Sequence, residues 1–197
     1  MTEKEKMIIG LPYMASDRVL QKARLVAQRA CFRYNQIDPK HHKERKALIR
    51  GLFNSTEALF CVEQPFYCDY GFNITIGNNF FSNYHLTILD CAPVTIGENV
   101  MFGPNVAIYT AGHPIHYETR NTGLEYALPV NIGNNVWIGG NTVINPNVNI
   151  GENSIIGSGS VVTKDIPPNV IAVGNPCKVL REITEDDKRY YYKNRLI

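Results

Sequence analysis

The segment Gly112-His113-Pro114 contains the side chain best suited to chemistry in this chain of 197 residues. A histidine titrates near neutral pH, so its imidazole can accept a proton from a substrate group at physiological pH. The flanking glycine and proline favour a rigid backbone at His113. A polar stretch follows as far as Pro129, and long loops in compact proteins are usually functional or disordered. His113 is therefore a candidate general base, and a loop histidine with a structural hydrogen bond is the alternative.

A second group of residues, toward the C-terminus, has the composition of a groove for a long ligand that carries phosphates. Small side chains let a ligand approach the backbone, and the single tryptophan stands out by its size among them. Basic and hydroxyl side chains follow, and arginine and lysine both bind phosphate oxygens. In chain order the group comprises Trp137, Gly140, Ser158, Gly159, Thr163, Lys164, Lys178 and Arg181. Tight corners and an ordinary basic surface would account for the same residue types.

A six-residue repeat must position these side chains. An aliphatic residue recurs at every sixth position, at Ile132, Ile138, Ile144, Ile150, Ile156 and Val162, and glycine usually follows it. An earlier run through Ile96, Phe102 and Ile108 has the same step, and the repeat is broken from there to Ile132. This period fits a short strand followed by a tight corner, and three such units make one triangular coil of a solenoid. A repeat of this kind accounts for a buried core but not for an activity. A purely structural solenoid is therefore an alternative interpretation.

The repeat divides the chain into three segments of one structural domain. Residues 1–60 form a helical segment in which Ser16 is expected to cap a helix with an apolar stripe from Leu20 to Tyr34. Residues 61–183 form a mainly β solenoid with a protruding loop at residues 109–130. Residues 184–197 are expected to form a short C-terminal helix that begins with a capping box of Thr184 and Asp187.

Composition excludes several classes of function. The chain has 20 Lys and Arg residues against 18 Asp and Glu residues, which is too nearly neutral for a duplex nucleic-acid partner. No apolar stretch is long enough to span a bilayer, and residues 1–6, which are charged and followed by no long apolar run, are not expected to belong to an export signal. The five cysteines have irregular spacing without a CxxC pair, so reduced thiols in a cytoplasmic protein are expected, with no metal site.

Several motifs occur together in a fixed order and spacing over nearly the whole chain. They are Asp69-Tyr70-Gly71, Asn78-Asn79-Phe80, Ala111-Gly112-His113-Pro114, residues 132–140, residues 162–168 and residues 174–181. With these motifs the chain resembles the galactoside and maltose O-acetyltransferases, which belong to the hexapeptide-repeat transferases. The resemblance implies a left-handed parallel β-helix, an acetyl-CoA-dependent transfer of an acetyl group to a sugar hydroxyl, and a homotrimer with active sites between subunits.

The resemblance also implies roles for individual residues. His113 would be the general base, Asn83 would help to stabilise the oxyanion, and Asp69 would bind the acceptor. Where the galactoside enzymes carry a second carboxylate that contacts the acceptor, this chain has Cys91, and a thiol accepts a sugar hydroxyl bond poorly. The coenzyme would contact Trp137, Gly140, Ser158, Thr163, Lys164, Lys178 and Arg181.

Three alternatives remain beside this interpretation. Xenobiotic acetyltransferases share the fold and would use a non-sugar acceptor. The γ-class carbonic anhydrases bind zinc on a similar helix through three histidines, but the spacing of His85, His113 and His116 does not fit theirs. A non-catalytic scaffold would not need His113 and Asn83.

Overall fold

A computed structural model describes all of residues 1–197 and contains few helices among many short strands. The helices are α1 (Glu3–Ile8), α2 (Arg18–Gln36), α3 (His42–Leu52) and α4 (Tyr117–Asn121), and a 3-10 helix spans Glu185–Arg189. The first strands are β1 (Tyr13–Met14), β2 (Ser55–Thr56), β3 (Phe60–Val62), β4 (Phe66–Cys68), β5 (Ile74–Ile76), β6 (Phe80–Ser82), β7 (Leu86–Leu89), β8 (Val94–Ile96), β9 (Met101–Phe102), β10 (Ala107–Tyr109) and β11 (Ala111–Gly112). The later strands are β12 (Leu124–Ala127), β13 (Val130–Ile132), β14 (Trp137–Ile138), β15 (Val143–Ile144), β16 (Asn149–Ile150), β17 (Ile155–Ile156), β18 (Val161–Val162), β19 (Val170–Val173), β20 (Lys178–Glu182), β21 (Tyr190–Tyr192) and β22 (Arg195–Leu196).

The strands wind into a three-sided prism, which confirms the predicted solenoid. One face has the strand order β16-β13-β8-β5-β2, the second has β18-β15-β10-β7-β4, and the third has β20-β19-β17-β14-β9-β6-β3. Successive coils pair in parallel, so that Ile96 lies beside Ile132, and Ile132 lies beside Ile150. The aliphatic residues of the repeat point inward and are buried in one continuous core. Burial of each such side chain stabilises the fold by about 1.5–3 kcal/mol.

The three faces of the prism differ in what they present outward. The face that contains β2, here called the polar face, presents Ser55, Thr75, Thr95, Asn131 and Asn149 in register. The face that contains β3, the apolar face, presents Cys61, Phe81, Met101, Trp137, Ile155 and Ile171 in register. The face that contains β4, the mixed face, presents Tyr67, Thr87, Ala107, Val143 and Val161.

A ladder of asparagines runs along the edge between the polar and apolar faces. Each asparagine sits in a corner with a positive φ between 55° and 60°, a conformation that asparagine tolerates better than most residues. The ladder comprises Asn79, Asn99, Asn135, Asn153 and Asn169, joined by side-chain hydrogen bonds of 2.9–3.2 Å. The corner geometry therefore has a side-chain signature that continues from coil to coil.

The N-terminal segment covers the first coil of the prism. Helix α2 packs on β4 through its buried stripe, as predicted. Its N-cap is Asp17 and not the expected Ser16, because the Asp17 carboxylate accepts hydrogen bonds from the backbone N–H groups of Val19 and Leu20. The segment also contains α1, which the sequence pattern did not predict, and the first coil already begins with β2 inside residues 1–60. None of the helices is long and apolar enough to cross a membrane.

The C-terminal segment closes the last coil. Strand β20 pairs antiparallel with β19. The expected capping box of Thr184 and Asp187 is present, but the helix it starts is a 3-10 helix that ends at Arg189. A hairpin of β21 and β22 follows where helix was expected, because its three consecutive tyrosines favour strand over helix.

Candidate functional site

His113 lies at the edge between the mixed and polar faces, here called the loop edge. The chain leaves the prism after β10 and forms the antiparallel pair of β11 and β12, and α4 lies in the connection between them. Strand β1 pairs with the other side of β12, so the N-terminal segment fixes the hairpin. Gly112 stacks directly on Tyr126, where any side chain would collide with the phenol ring. His113 follows at the open end of β11 with its side chain exposed to solvent.

Asp69 and Cys91 also lie at the loop edge, in the turns after β4 and β7. The thiol of Cys91 donates to the Asp69 Oδ2 atom at 3.4 Å and is itself buried. Burial raises the pKa of the half-buried Asp69 carboxyl, while the Cys91 hydrogen bond and the charge of Arg24 oppose that shift. Cys91 therefore contacts the carboxylate to which the resemblance assigns acceptor binding, and its own buried thiol faces inward.

A buried carboxyl, Asp90, holds the turn that presents Asp69. It accepts backbone N–H hydrogen bonds from Asp69 at 3.1 Å, Tyr70 at 2.8 Å and Asn73 at 3.3 Å. Burial raises the pKa of Asp90 to about 7, although the backbone N–H bonds favour the ionised form. Asp90 is a positioning residue that the sequence did not reveal, since its role depends on the turn folding back over it.

Asn83 and the small residues line up along the edge between the apolar and mixed faces, here called the small-residue edge. Backbone hydrogen bonds stack the corners: the Asn83 N–H donates to Phe102 O at 3.0 Å, and the Gly103 N–H donates to Ile138 O at 2.8 Å. The next coils continue this stack. The carbonyl oxygen of Gly140 accepts a hydrogen bond at 2.9 Å from the N–H of Gly159, the residue after Ser158. The Asn83 side-chain oxygen accepts from the Tyr84 N–H at 2.8 Å, which turns the amide NH₂ away from the backbone.

Close stacking accounts for part of the small-residue pattern. A Cβ added to Gly139 would lie 2.5 Å from the Ser158 N atom, so packing between coils already requires glycine there. The neighbouring Gly140 is only half-buried, Ser158 is exposed, and Trp137 on the adjacent apolar face is 49% exposed. The small side chains at two of these three positions leave the corner backbone along the edge accessible.

The basic residues divide between the two edges. Lys178 is exposed at the end of the small-residue edge, where Cys177 N donates to Val161 O. The Arg181 guanidinium is bound by the Asp187 carboxylate through two bonds of 2.8 Å, and this pairing lowers the pKa of Asp187. Arg181 is thus already paired, so a phosphate group would have to compete with Asp187.

Thr163 and Lys164 occupy the loop edge of the last complete coil, after β18, and both are exposed. The candidate residues therefore form two half-sites. His113, Asp69, Cys91, Thr163 and Lys164 lie along the loop edge, whereas Asn83, Gly140, Ser158 and Lys178 lie along the small-residue edge with Trp137 beside it. The mixed face separates the two half-sites within one chain by roughly 10 Å, the length of a three-residue strand.

No group of three or more His, Cys, Asp or Glu side chains has an arrangement that could hold a metal ion.

Comparison with known proteins adds independent findings. A family described as the maltose acetyltransferase hexapeptide capping motif matches residues 6–57, a bacterial transferase hexapeptide family matches residues 129–164, and a hexapeptide repeat of succinyl-transferase matches residues 93–115. The chain is 50% identical to the galactoside O-acetyltransferase of Escherichia coli over 89% of this chain and 86% of that protein.

Two solved structures are similar over almost the full chain. A maltose O-acetyltransferase from Clostridium difficile has a TM-score of 0.93 at 51% identity and covers 94% of this chain and 99% of that chain. A galactoside acetyltransferase in complex with coenzyme A has a TM-score of 0.96 at 46% identity and covers 100% of this chain and 98% of that chain.

Proposed function

Because the chain belongs to the hexapeptide-repeat sugar O-acetyltransferases and is an acyltransferase, we propose that it transfers the acetyl group of acetyl-CoA directly to a hydroxyl of a neutral sugar of the glucose, maltose or galactoside type. The observation that carries this proposal is the position of His113, whose exposed imidazole stands at the open end of β11 on the same edge as Asp69. A related galactoside acetyltransferase binds coenzyme A, which supports acetyl-CoA as the second substrate.

In the proposed reaction His113 accepts the proton of the acceptor hydroxyl as its oxygen attacks the thioester carbonyl. The Asn83 amide NH₂ donates to the oxyanion of the tetrahedral intermediate. Collapse of the intermediate breaks the carbon–sulfur bond, and the proton held by His113 passes to the coenzyme thiolate. No acyl-enzyme forms, so the acetyl group moves once. Asp69 orients the acceptor by accepting a hydrogen bond from a second hydroxyl.

The coenzyme arm would lie along the small-residue edge, against Gly140 and Ser158 and beside Trp137. Lys178 at the end of that edge would contact the phosphates as a point charge. Thr163 and Lys164 lie on the other edge, and Arg181 is paired with Asp187. Thr163 and Lys164 would therefore reach the coenzyme of a neighbouring subunit, and Arg181 would exchange Asp187 for phosphate.

The two half-sites favour an assembly in which one subunit's loop edge faces another's small-residue edge. His113 and Asn83 lie on different edges of one prism, so a single chain does not bring the base and the oxyanion donor together. The apolar face, with Phe81, Met101 and Trp137 aligned and partly exposed, is the surface that association would cover. A homotrimer closes such contacts with three equivalent sites. Sedimentation equilibrium at micromolar concentration tests this, and a monomeric mass would refute it.

Thiol release from acetyl-CoA tests the reaction. The acceptors are glucose, maltose, a methyl β-galactoside, glucosamine, chloramphenicol and serine. We expect release with the sugars, and His113→Ala should lower kcat by about 100- to 10,000-fold, the usual contribution of a general base. Because His113 is exposed, the variant should unfold at the temperature of the parent protein. Release only with chloramphenicol or serine would overturn the sugar acceptor, and unchanged turnover of His113→Ala would overturn the base.

A further inference from the structure

Glu125, in the hairpin that carries His113, lies beside the acceptor residues and has no role in the reaction described above. We infer that Glu125 is a second acceptor-binding carboxylate, which takes the place in space that Cys91 leaves without a carboxylate, and that it selects neutral acceptors with two neighbouring free hydroxyls. This inference rests on the proposed function.

The sheet of β1, β12 and β11 brings Glu125 to the base. In β12, Glu125 is the register partner of Tyr13 in β1. On the other side, Ala111 pairs with Ala127 and Gly112 pairs with Tyr126, and the pairing ends there, so His113 and Glu125 are the two residues next to the last pair. Directly opposed residues of an antiparallel pair project from the same side of the sheet. Glu125 therefore stands between the N-terminal segment and the catalytic loop.

Tyr13 fixes the orientation of the Glu125 carboxylate. The fully buried Tyr13 donates its hydroxyl to the Glu125 Oε2 atom at 2.9 Å. Burial raises the pKa of Tyr13, so the phenol stays a donor throughout the physiological range. The Oε1 atom has no bond from Tyr13 and is free to accept a ligand hydroxyl. A half-buried carboxylate held by one oxygen is an orienting group at low entropic cost.

Asp69 and Glu125 are linked through Cys91 and Tyr13, which lie in one packed cluster. The negative charge of Glu125 is close enough to raise the pKa of Asp69, in addition to the larger effect of burial. Cys91 lies between them in the same packed cluster as Tyr13, and its small thiol donates to Asp69 at 3.4 Å. A thiol is a weak donor, so it leaves Asp69 able to accept a stronger bond from a sugar hydroxyl.

The charges around Asp69 and Glu125 determine which class of acceptor would bind there. Two carboxylates accept hydrogen bonds and donate none, so each binds a hydroxyl group of the acceptor. The Arg24 guanidinium, whose charge opposes the raised pKa of Asp69, donates to the Tyr70 hydroxyl at 2.6 Å and to Ala15 O at 2.5 Å. Two carboxylates against one guanidinium leave the surroundings of Asp69 and Glu125 with a net negative charge. A neutral polyol with paired hydroxyls fits, whereas a uronic acid or a sugar phosphate would be repelled.

The experiment compares Glu125→Gln and Glu125→Ala with the parent enzyme, using the best sugar acceptor and its deoxy analogue. Glutamine keeps the shape and an oxygen for Tyr13 but loses the charge. We expect kcat/KM for the acceptor to fall about tenfold in Glu125→Gln and roughly 100-fold in Glu125→Ala, because a hydrogen bond to a charged group is worth more than one to a neutral group. The KM for acetyl-CoA should stay unchanged. The preference for the sugar over its deoxy analogue should also shrink.

Matched controls separate binding from folding. Glu118→Gln removes a carboxylate of the same loop that is 70% exposed, and it should leave all constants unchanged. Tyr13→Phe should weaken acceptor binding less than Glu125→Ala, since the carboxylate remains. An acceptor KM and deoxy preference in Glu125→Gln equal to those of the parent would overturn the inference while the proposed function stands. A parent enzyme that acetylates no sugar would overturn both.

Discussion

The asparagine ladder provides a test of what the corners of the prism require. Asn135 sits in the middle of the ladder with φ 58°, accepts from Asn99 at 3.2 Å and donates to Asn153 at 2.9 Å. Replacement by alanine and by glycine removes the same two side-chain hydrogen bonds. The variants differ in the backbone, because a left-handed conformation costs an L-residue with a Cβ about 1–2 kcal/mol and costs glycine almost nothing.

Glycine also lowers the free energy of unfolding, by about 0.5–1 kcal/mol relative to alanine, because it gives the unfolded chain more conformational freedom. The difference leaves Asn135→Gly more stable than Asn135→Ala by about 1 kcal/mol. Both should be less stable than the parent, by about 0.5–1.5 kcal/mol for each ladder bond, with values at the lower end because the corner is exposed. Urea unfolding followed by circular dichroism, at one protein concentration, gives these free energies.

Asn131 is the matched control. Its side chain makes a comparable bond, to Asn149 at 2.8 Å, and it is also exposed, but it lies within β13 and its φ is not positive. There alanine should be more stable than glycine by about 0.5–1 kcal/mol. The order of the two variants must therefore reverse between Asn131 and Asn135. If alanine is the more stable replacement at both positions, the corner conformation is not what selects asparagine.

Two further predictions concern buried groups. Phe102 is fully buried and packs edge-to-face on Phe80 at 5.2 Å, so Phe102→Ala should lower the free energy of unfolding by about 3–5 kcal/mol; a loss below about 1 kcal/mol in urea would contradict this packing. Burial raises the pKa of Asp90 from 3.8 to about 7, so the folded protein binds a proton that the unfolded chain has already released, and this group's contribution to stability falls as pH rises from about 4 to about 7. Unfolding free energies measured across that range should show a smaller pH dependence in Asp90→Asn, and parallel profiles would refute the assignment.

The repeat made the prism predictable, because a fixed spacing of Ile132, Ile138 and Ile144 leaves few other ways to bury those side chains. The ends were less predictable, because there the repeat gives no guidance. Ser16 and Asp17 are both good capping residues, and only the geometry of the turn selects Asp17. The three tyrosines at residues 190–192 follow a true capping box, yet their preference for strand ends the helix within five residues.

The site residues that belong to sequence motifs could be predicted. Contacts between residues that are distant in the sequence could not. His113 stands out in the sequence because it follows a break in the repeat. Tyr13 and Glu125 lie 112 positions apart in the chain, and only the pairing of β1 with β12 joins them. The separation of His113 from Asn83 likewise depends on which edge of the prism each corner occupies, which a sequence period alone does not assign.

The ends of the prism also determine whether the molecule stays finite. Stacked parallel coils offer unpaired backbone groups at each end, and another chain adding there would start a fibre. Helix α2 covers the first coil at β4. At the far end, β20 runs antiparallel and occupies the edge of β19, the Cys177 N–H donates to Val161 O, and Pro167 and Pro168 have no backbone N–H to offer. A chain cut after Val173 would lose both β20 and the Cys177 hydrogen bond. The C-terminal segment therefore blocks end-to-end association at the far end of the prism.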